Sequence, residues 1–597
     1  MSDRANTKRS DVPKEYTWAT EDLFPTDEAF LEALKAFSED SKSIAAMKDT
    51  VLESGANLYA FYEKFNKQIY DIGELYNYAS LKADEDTTNS TYQDFKSKAT
   101  AVYVEWSAAV SFISPMLLET EEAKLAQFYR EEPRLEKYRH AIDEVIRLKE
   151  HTLNAQGEAL LAMTGEMSGQ PGVIYDLLKN ADMTYEDVVL DGVTYPLSSG
   201  TFVHLEMSDD RRLREAAFHN YYKTYDSLKN TSAALLQAQM KSLQFNANAR
   251  HYSSTLEAAV AGTDVDPAVY HNLIKAVHEN ISYMHDYVRL RKKALGVDEL
   301  HMYDVYAPLA TGTSRTIPYE EAVQNCLETC EIYGKEYLDV LKSGFENRWV
   351  DRYENIGKAS GAYSCGAKVH PFVKMNYADD IDSEFTLIHE MGHSLHSYMS
   401  NTYQEPIYAD YKMFVAEVAS TCNEALLMQH LLGKTTDRNE KILLINHFLE
   451  QFKGTLYRQT MFAEFELKMN ELVASGQMLT ADLLSSEYRK LNEFYFGPDM
   501  VLDDEIALEW ARIPHFYYNY YVYQYATGYS AAIALSTRML KEGQPAVEDY
   551  LNFLKGGSTK DPVSLLRGAG VDMASTKPVK DALELFGSLI RQMDELL

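Results

Sequence analysis

Two imidazoles flank a carboxylate at His389-Glu390-Met391-Gly392-His393, the H-E-x-x-H pattern. On a helix of 3.6 residues per turn, side chains four apart stack on one face, so His389 and His393 can grip one Zn²⁺ from the same side. Glu390 lies beside them, where it can reach a water at the metal and take its proton. The chemistry such a trio serves is metal-assisted hydrolysis. In a chain with 16 His and 90 acidic residues, however, the pattern needs support from its surroundings.

The surroundings supply it. At 100° per residue, His389, His393 and His396 fall within roughly 60° of one another, and Ile388, Met391, Leu395 and Tyr398 gather on the opposite side. Asp382 or Ser383 is placed to cap the helix, Glu384 to meet the positive end of its dipole and Asn401 to end it.

A catalytic zinc takes three protein ligands and keeps one position for solvent. His396 is one candidate for the third ligand. Glu417, in the segment MFVAEVASTCNEALLMQHLLG ending near Gly433, is the favoured one. That helix is apolar nearly all round, so a carboxylate in its middle is expected in a dry setting, where it must be paired or bound to metal. Glu424, seven residues on, returns to the same face and could fix the tautomer of a ligating imidazole. Ser420 and Thr421 are given no chemistry. Were His396 and Glu417 both ligands, the site would be closed and the chain a zinc-stabilised peptide-binding or scaffold protein without turnover.

Two further stretches bear on the site. Between Trp349 and Asp380 the helical period fails, and VHPFVKMNY reads as strand just before the HExxH segment. Its edge could pair with an extended peptide, and Gly361-Ala362-Tyr363 could allow close backbone approach. The segment RIPHFYYNYYVYQYATGYSAA holds His515 and seven tyrosines, at least one of which, together with His515, is a candidate for a functional role. Most of these rings are expected to be packing residues, but imidazole and phenol groups near a zinc would donate to a developing oxyanion.

These residues must be positioned by a large, ordinary globular chain. At 597 residues it exceeds one typical domain, with 46% hydrophobic and 25% charged residues. A net charge of −32 argues against nucleic acid and anionic membrane surfaces as partners. The N-terminus lacks the apolar run of a signal peptide, no stretch reads as 18 uninterrupted apolar residues, and Cys326, Cys330, Cys365 and Cys422 form no C-x-x-C pair; a cytoplasmic protein with core thiols is expected. From Asp27 to Leu178 nearly every window is helical, with turns at Asp86–Ser90 and Glu131–Pro133. Asp191-Gly192 marks a small hairpin, and a soft boundary falls near Asp187.

Together the motifs resemble the oligoendopeptidase F branch of the thimet-oligopeptidase-like zinc metallopeptidases. The resemblance is carried by EYTWATEDLFP, GKASGAYS, HPFVKMNY, HEMGHSLHS, FVAEVASTCNE and RIPHFYYNYYVYQYATG, spread over most of the chain. It implies a mostly α, elongated, two-lobed zincin-like fold with a deep cleft and a small β-sheet next to the zinc helix. Residues 1–186 would form a helical domain walling the cleft, and residues 187–597 the catalytic domain. One Zn²⁺ would be bound by His389, His393 and Glu417, with Glu390 as general base and Glu424 supporting a ligand. His515 and a tyrosine after it, Tyr523 first and then Tyr520, would stabilise the oxyanion. The function implied is zinc-dependent endopeptidase action on short peptides, without nucleic acid or membrane partners.

Overall fold

Each of the first long helices begins at a side chain able to satisfy the free N–H groups of its first turn. Thr26 accepts from Ala29 N–H ahead of helix Asp27–Ala45, Ser54 from Asn57 ahead of Gly55–Glu85, and Asn89 from Thr91 ahead of Ser90–Val110. In this computed structural model, which describes Arg4 and residues 6–309 and 315–597, helices dominate. The expected turn at Asp86–Ser90 is present, Asp86 accepting from both the N–H and hydroxyl of Thr88. The chain is mostly α, as its periodicity requires.

The strands are short. β1 (Val188–Leu190) and β2 (Val193–Tyr195) form the expected antiparallel hairpin, turning through Asp191 and Gly192 at φ 51° and 81°. β3 (Leu300–His301) pairs in parallel with β7 (Met500–Val501). β4 (Val350–Asp351), β5 (Tyr363–Cys365) and β6 (Phe372–Lys374) form one sheet in the order β4-β6-β5, within the glycine-spotted stretch before the HExxH segment.

Two compact units divide the chain. The first comprises Met1–Lys149, Ser314–His430 and Leu535–Val571; the second comprises Glu150–Thr313, Leu431–Ala534 and Asp572–Leu597. The chain thus first passes between units at residues 149–150, not near Asp187, and crosses back and forth thereafter. The first unit is built on aromatic cores: Phe30, Leu34 and Phe37 meet Leu75, Tyr78, Phe95 and Trp106. Two tryptophans there find acceptors, Trp18 Nε1–H on Glu85 at 2.7 Å and Trp106 Nε1–H on Gln68 at 3.0 Å. One stretch is apolar on average without forming an uninterrupted apolar run. Ser90–Glu119 holds an 18-residue window of mean hydropathy 1.4, long and apolar enough by composition to cross a membrane. Within it Ala99 and Trp106 are buried, and the break after Val110 divides it into two helices.

In the second unit, Glu509 is buried and accepts from Arg458, Arg512 and Tyr488 at 2.5–2.6 Å. Burial alone would raise its pKa, but Arg458 and Arg512 bring it down to about 2. Glu509→Ala leaves two buried guanidinium groups short of their carboxylate and is expected to destabilise this unit by about 3–5 kcal/mol, read from urea unfolding. Because the folded value lies below the ordinary 4.5, the stabilisation is complete above that pH and is lost as pH falls toward 2.

Candidate active site

The HExxH helix runs Ile381–Tyr403. Its cap is Asp380, which accepts from Ser383 N–H, while Ser383 itself accepts from Ala378 N–H. The start therefore lies just before the two residues proposed from sequence, and the helix ends two residues beyond Asn401. Leu387, Ile388, Met391 and Leu395 are buried, and His389 and His393 lie on the more open face, their side chains 25% and 17% exposed. Of the three histidines read on one face, His389 and His393 keep to it, whereas His396 is buried, and Tyr398 on the opposite side is only partly buried.

The second helix, Met413–Lys434, buries Phe414, Val415, Val418, Ala419, Cys422 and most residues as far as Met428. Gly392 lets it come close. A Cβ at Gly392 would stand 2.6 Å from Ser420 Cα and 2.9 Å from Ala419 O. Asn423 ties the same pair of helices, donating to Ile388 O at 3.4 Å while its own oxygen accepts from Tyr333 at 2.8 Å. Gly392→Ala should therefore push the helices apart, costing about 1–3 kcal/mol in thermal unfolding and weakening metal retention.

Close approach brings three donor atoms together. His389 Nε2 and His393 Nε2 are 3.2 Å apart, and Glu417 Oε2 lies 3.3 Å and 3.4 Å from them. Ligand atoms ~2.0–2.1 Å from a tetrahedral ion stand about 3.3–3.4 Å apart. The trio fits a single divalent ion, and no other group of three or more metal-ligating side chains is brought together among the described residues. The imidazoles hold the Glu417 carboxyl well below the usual carboxylate range, against the effect of its burial. Its side chain is 40% exposed, so the dry setting expected for it is not what the helix provides; the carboxylate points from an apolar helix toward an open site.

Behind the trio, Glu424 contacts Nδ1 of His389. Burial would lower this imidazole, but Glu424 and Glu417 hold it well above its ordinary range. Ser420 donates to Glu417 O and, at 3.3 Å, to its Oε2, a contact that the sequence reading did not assign. Glu390 is 6% exposed, with Oε2 buried and unpartnered; burial pushes its pKa up while the two imidazoles oppose that. His396 is elsewhere. Its ring stacks on Tyr411 at 3.7 Å and 3° and lies near Phe553, and its Nδ1 is buried without a partner. Burial drops its pKa to about 3, the behaviour of a core imidazole.

The sheet offers one open edge to the same unit. Val373 N–H donates to Trp349 O at 2.8 Å, so Val373 faces β4, and Phe372 and Lys374 face β5. Their partners Cys365 and Tyr363 turn inward, which leaves the main chain of Ser364, and of Ala362 by alternation, on the outer edge of β5. Ser364 Oγ lies 2.8 Å from Ser394 Oγ, fastening this strand to the HExxH helix. Gly361 takes φ 73°. Tyr363 is occupied within the protein, its hydroxyl donating to Asp84 at 2.9 Å.

In the second unit the tyrosine-rich segment divides differently from its sequence reading. Tyr520 and Tyr523 are each 2% exposed. Tyr520 OH meets Thr255 Oγ1 at 2.8 Å, and the Tyr523 ring packs 5.1 Å from Tyr270. The rings beside His515 are Tyr518 at 5.5 Å and Tyr525 at 6.1 Å. Asn519 and Tyr520 both adopt positive φ, 59° and 56°, and the buried Glu466 accepts the Tyr520 N–H at 2.6 Å. These consecutive left-handed residues reset the phase of the chain before the helix beginning at Tyr523. Burial, with Lys179 and Arg458 nearby, lowers the His515 pKa.

Comparison with known proteins agrees with this geometry. Residues 204–585 match the model of peptidase family M3, and residues 117–185 match that of Oligopeptidase F. The chain is 44% identical to oligopeptidase PepF of Bacillus subtilis over 99% of its length and 88% of that protein. It is 38% identical to group B oligopeptidase PepB of Streptococcus agalactiae, covering 99% of this chain and 98% of that one. Oligoendopeptidase-F from Enterococcus faecium superposes with a TM-score of 0.73 at 36% identity, over 96% of this chain and 99% of that one. With its HExxH helix set against a glutamate-bearing neighbour, the chain belongs to peptidase family M3, as a metallopeptidase of the oligoendopeptidase F group that hydrolyses peptide bonds.

Proposed function

We propose that the chain is a zinc-dependent endopeptidase acting on short oligopeptides, with His389, His393 and Glu417 holding the ion. The observation that carries this reading is the trio's spacing of 3.2–3.4 Å, which suits tetrahedral ligands. Zinc, when bound, supplies a Lewis acid that polarises the scissile carbonyl and brings the pKa of a water toward ~7. Glu390, a buried carboxyl of raised basicity with a free oxygen, takes the proton of the attacking water and returns it to the leaving amine. Glu424 accepts from Nδ1–H of His389, which keeps the Nε2 lone pair for the ion. The outer edge of β5, with Gly361 and Ala362, is proposed to pair with the main chain of the peptide. His515 and a tyrosine after it are proposed as donors to the oxyanion, and the burial of Tyr520 and Tyr523 speaks against those two. The four free thiols suit the cytoplasm.

A zinc-stabilised scaffold needs a fourth protein ligand, and the ring packing of His396 against Tyr411 speaks against it. End-blocked, internally quenched peptides should be cut at internal bonds, with cleavage abolished by a chelator and restored by zinc. Removal of single residues from free ends alone, seen by mass analysis of the fragments, would refute the endopeptidase assignment.

A further inference from the structure

Lys374 closes β6 and is 2% exposed. Its ammonium donates to Ala359 O and Ser360 O, both at 2.9 Å, and faces the Tyr363 ring at 4.9 Å. Asp84, Asp351 and Glu390 act on it only through space, and burial lowers its pKa. The neighbouring buried lysine, Lys358, is different, since it ion-pairs directly with Asp351. A buried ammonium without a contacting carboxylate is expensive, and an apolar side chain of similar volume would be easier to bury. What the charge secures is the orientation of two carbonyls. Asn376 completes the set, donating to Ala359 O and Gly361 O, each at 3.1 Å, and Ala359 N–H is held by Asp84 O at 3.0 Å.

With these carbonyls turned onto β6, the other side of the loop is left bare. Ser360 and Gly361 are exposed, and among the described residues their N–H groups meet no acceptor. The space where a Gly361 Cβ would stand is open, so an extended chain could approach the backbone closely. The loop runs directly into Ala362 and the outer edge of β5.

We propose that Lys374 is a positioning residue for substrate binding: assisted by Asn376, it locks loop 359–361 so that the N–H groups of Ser360 and Gly361 extend the β5 edge as donors to a peptide's carbonyls. This rests on reading the β5 edge as the strand that docks the substrate. Lys374 itself touches no reacting atom.

The test is calorimetric binding of an end-blocked peptide to zinc-loaded Glu390→Gln protein, alongside kcat and KM of the corresponding variants with Glu390 intact. Lys374→Met is expected to raise Kd and KM about 10-fold, with kcat within about 3-fold and zinc content unchanged. Its thermal unfolding should be no lower than wild type, because an unpaired buried charge has been removed. Lys374→Arg, which keeps donors for both carbonyls, should recover affinity to within about 3-fold. Asn376→Leu loosens the same loop without touching the buried charge and should shift Kd in the same direction. Unchanged Kd in Lys374→Met, or a fall in kcat with Kd unchanged, would overturn the proposal. Ala362→Pro separates the two layers of the reading. If it weakens peptide binding while Lys374→Met does not, only the role of Lys374 fails. If neither weakens it, the docking edge itself is misassigned.

Discussion

Glu390→Gln is expected to lower kcat by about 10³-fold while leaving zinc content and thermal unfolding at wild-type levels, since general-base catalysis contributes about 10²–10⁴-fold. The size of the effect follows from where the carboxyl stands. It is buried, its Oε2 has no partner among the described residues, and it is not one of the three mutually close donors. An amide of nearly the same shape fills that position without disturbing the helix, but it cannot accept a proton. The loss should appear in kcat with little change in peptide affinity, because the group acts on the water and the leaving amine and not on the resting substrate. Steady-state kinetics with metal analysis of the same samples decide the matter. A zinc-loaded, fully active Glu390→Gln protein would mean that another group moves the proton.

Glu417→Ala should have the largest effect on the metal itself. Losing an outer partner of a ligand already costs 10–100-fold in affinity, so removing the only carboxylate among the three donors should cost at least about 100-fold. Because the Glu417 side chain is 40% exposed, its removal opens no core cavity, and the ion-free protein should unfold close to wild type. Competition with a chromophoric chelator measures the affinity, and urea unfolding of the ion-free variants measures the remainder. Wild-type zinc affinity in Glu417→Ala would place the third ligand elsewhere.

How much of this site could be read from the residues depended on how local the signal was. The HExxH face is set by the period of one helix, so the grouping of His389 and His393 opposite Ile388, Met391 and Leu395 was legible. Glu417 was legible because an acid in the middle of a largely apolar helix stands out. Its openness to solvent was not, because that depends on how the helix packs, which its own pattern cannot report. The cap was displaced to Asp380 because Asp380, Asp382 and Ser383 all suit the role, and only the path of the preceding chain chooses among them. Gly392 read as one more helix residue until the neighbouring backbone was seen 2.6 Å from its absent Cβ.

The tyrosine segment was less legible for a different reason. Counting from His515 assumes a regular backbone, and Asn519 and Tyr520 break that assumption with two left-handed residues in succession. Their conformation is supported from other parts of the chain, by Glu466 on the Tyr520 N–H and by Gln239 on the Asn519 side chain at 2.7 Å. No spacing rule within the segment contains those partners. Tyr520 and Tyr523 consequently turn into the interior of their unit, and Tyr518 and Tyr525 take the places beside His515. The small sheet was foreseen as strand-like sequence. Which edge stays open followed only from the pairing of Val373 with Trp349.

The central claim is a three-ligand site that keeps room for solvent and substrate. Anomalous diffraction at the zinc absorption edge from zinc-loaded crystals tests it directly. The expected result is one ion about 2.0–2.2 Å from His389 Nε2, His393 Nε2 and a Glu417 oxygen, with no fourth protein ligand. An ion enclosed by four protein ligands, or one bound through His396 in place of Glu417, would contradict the account.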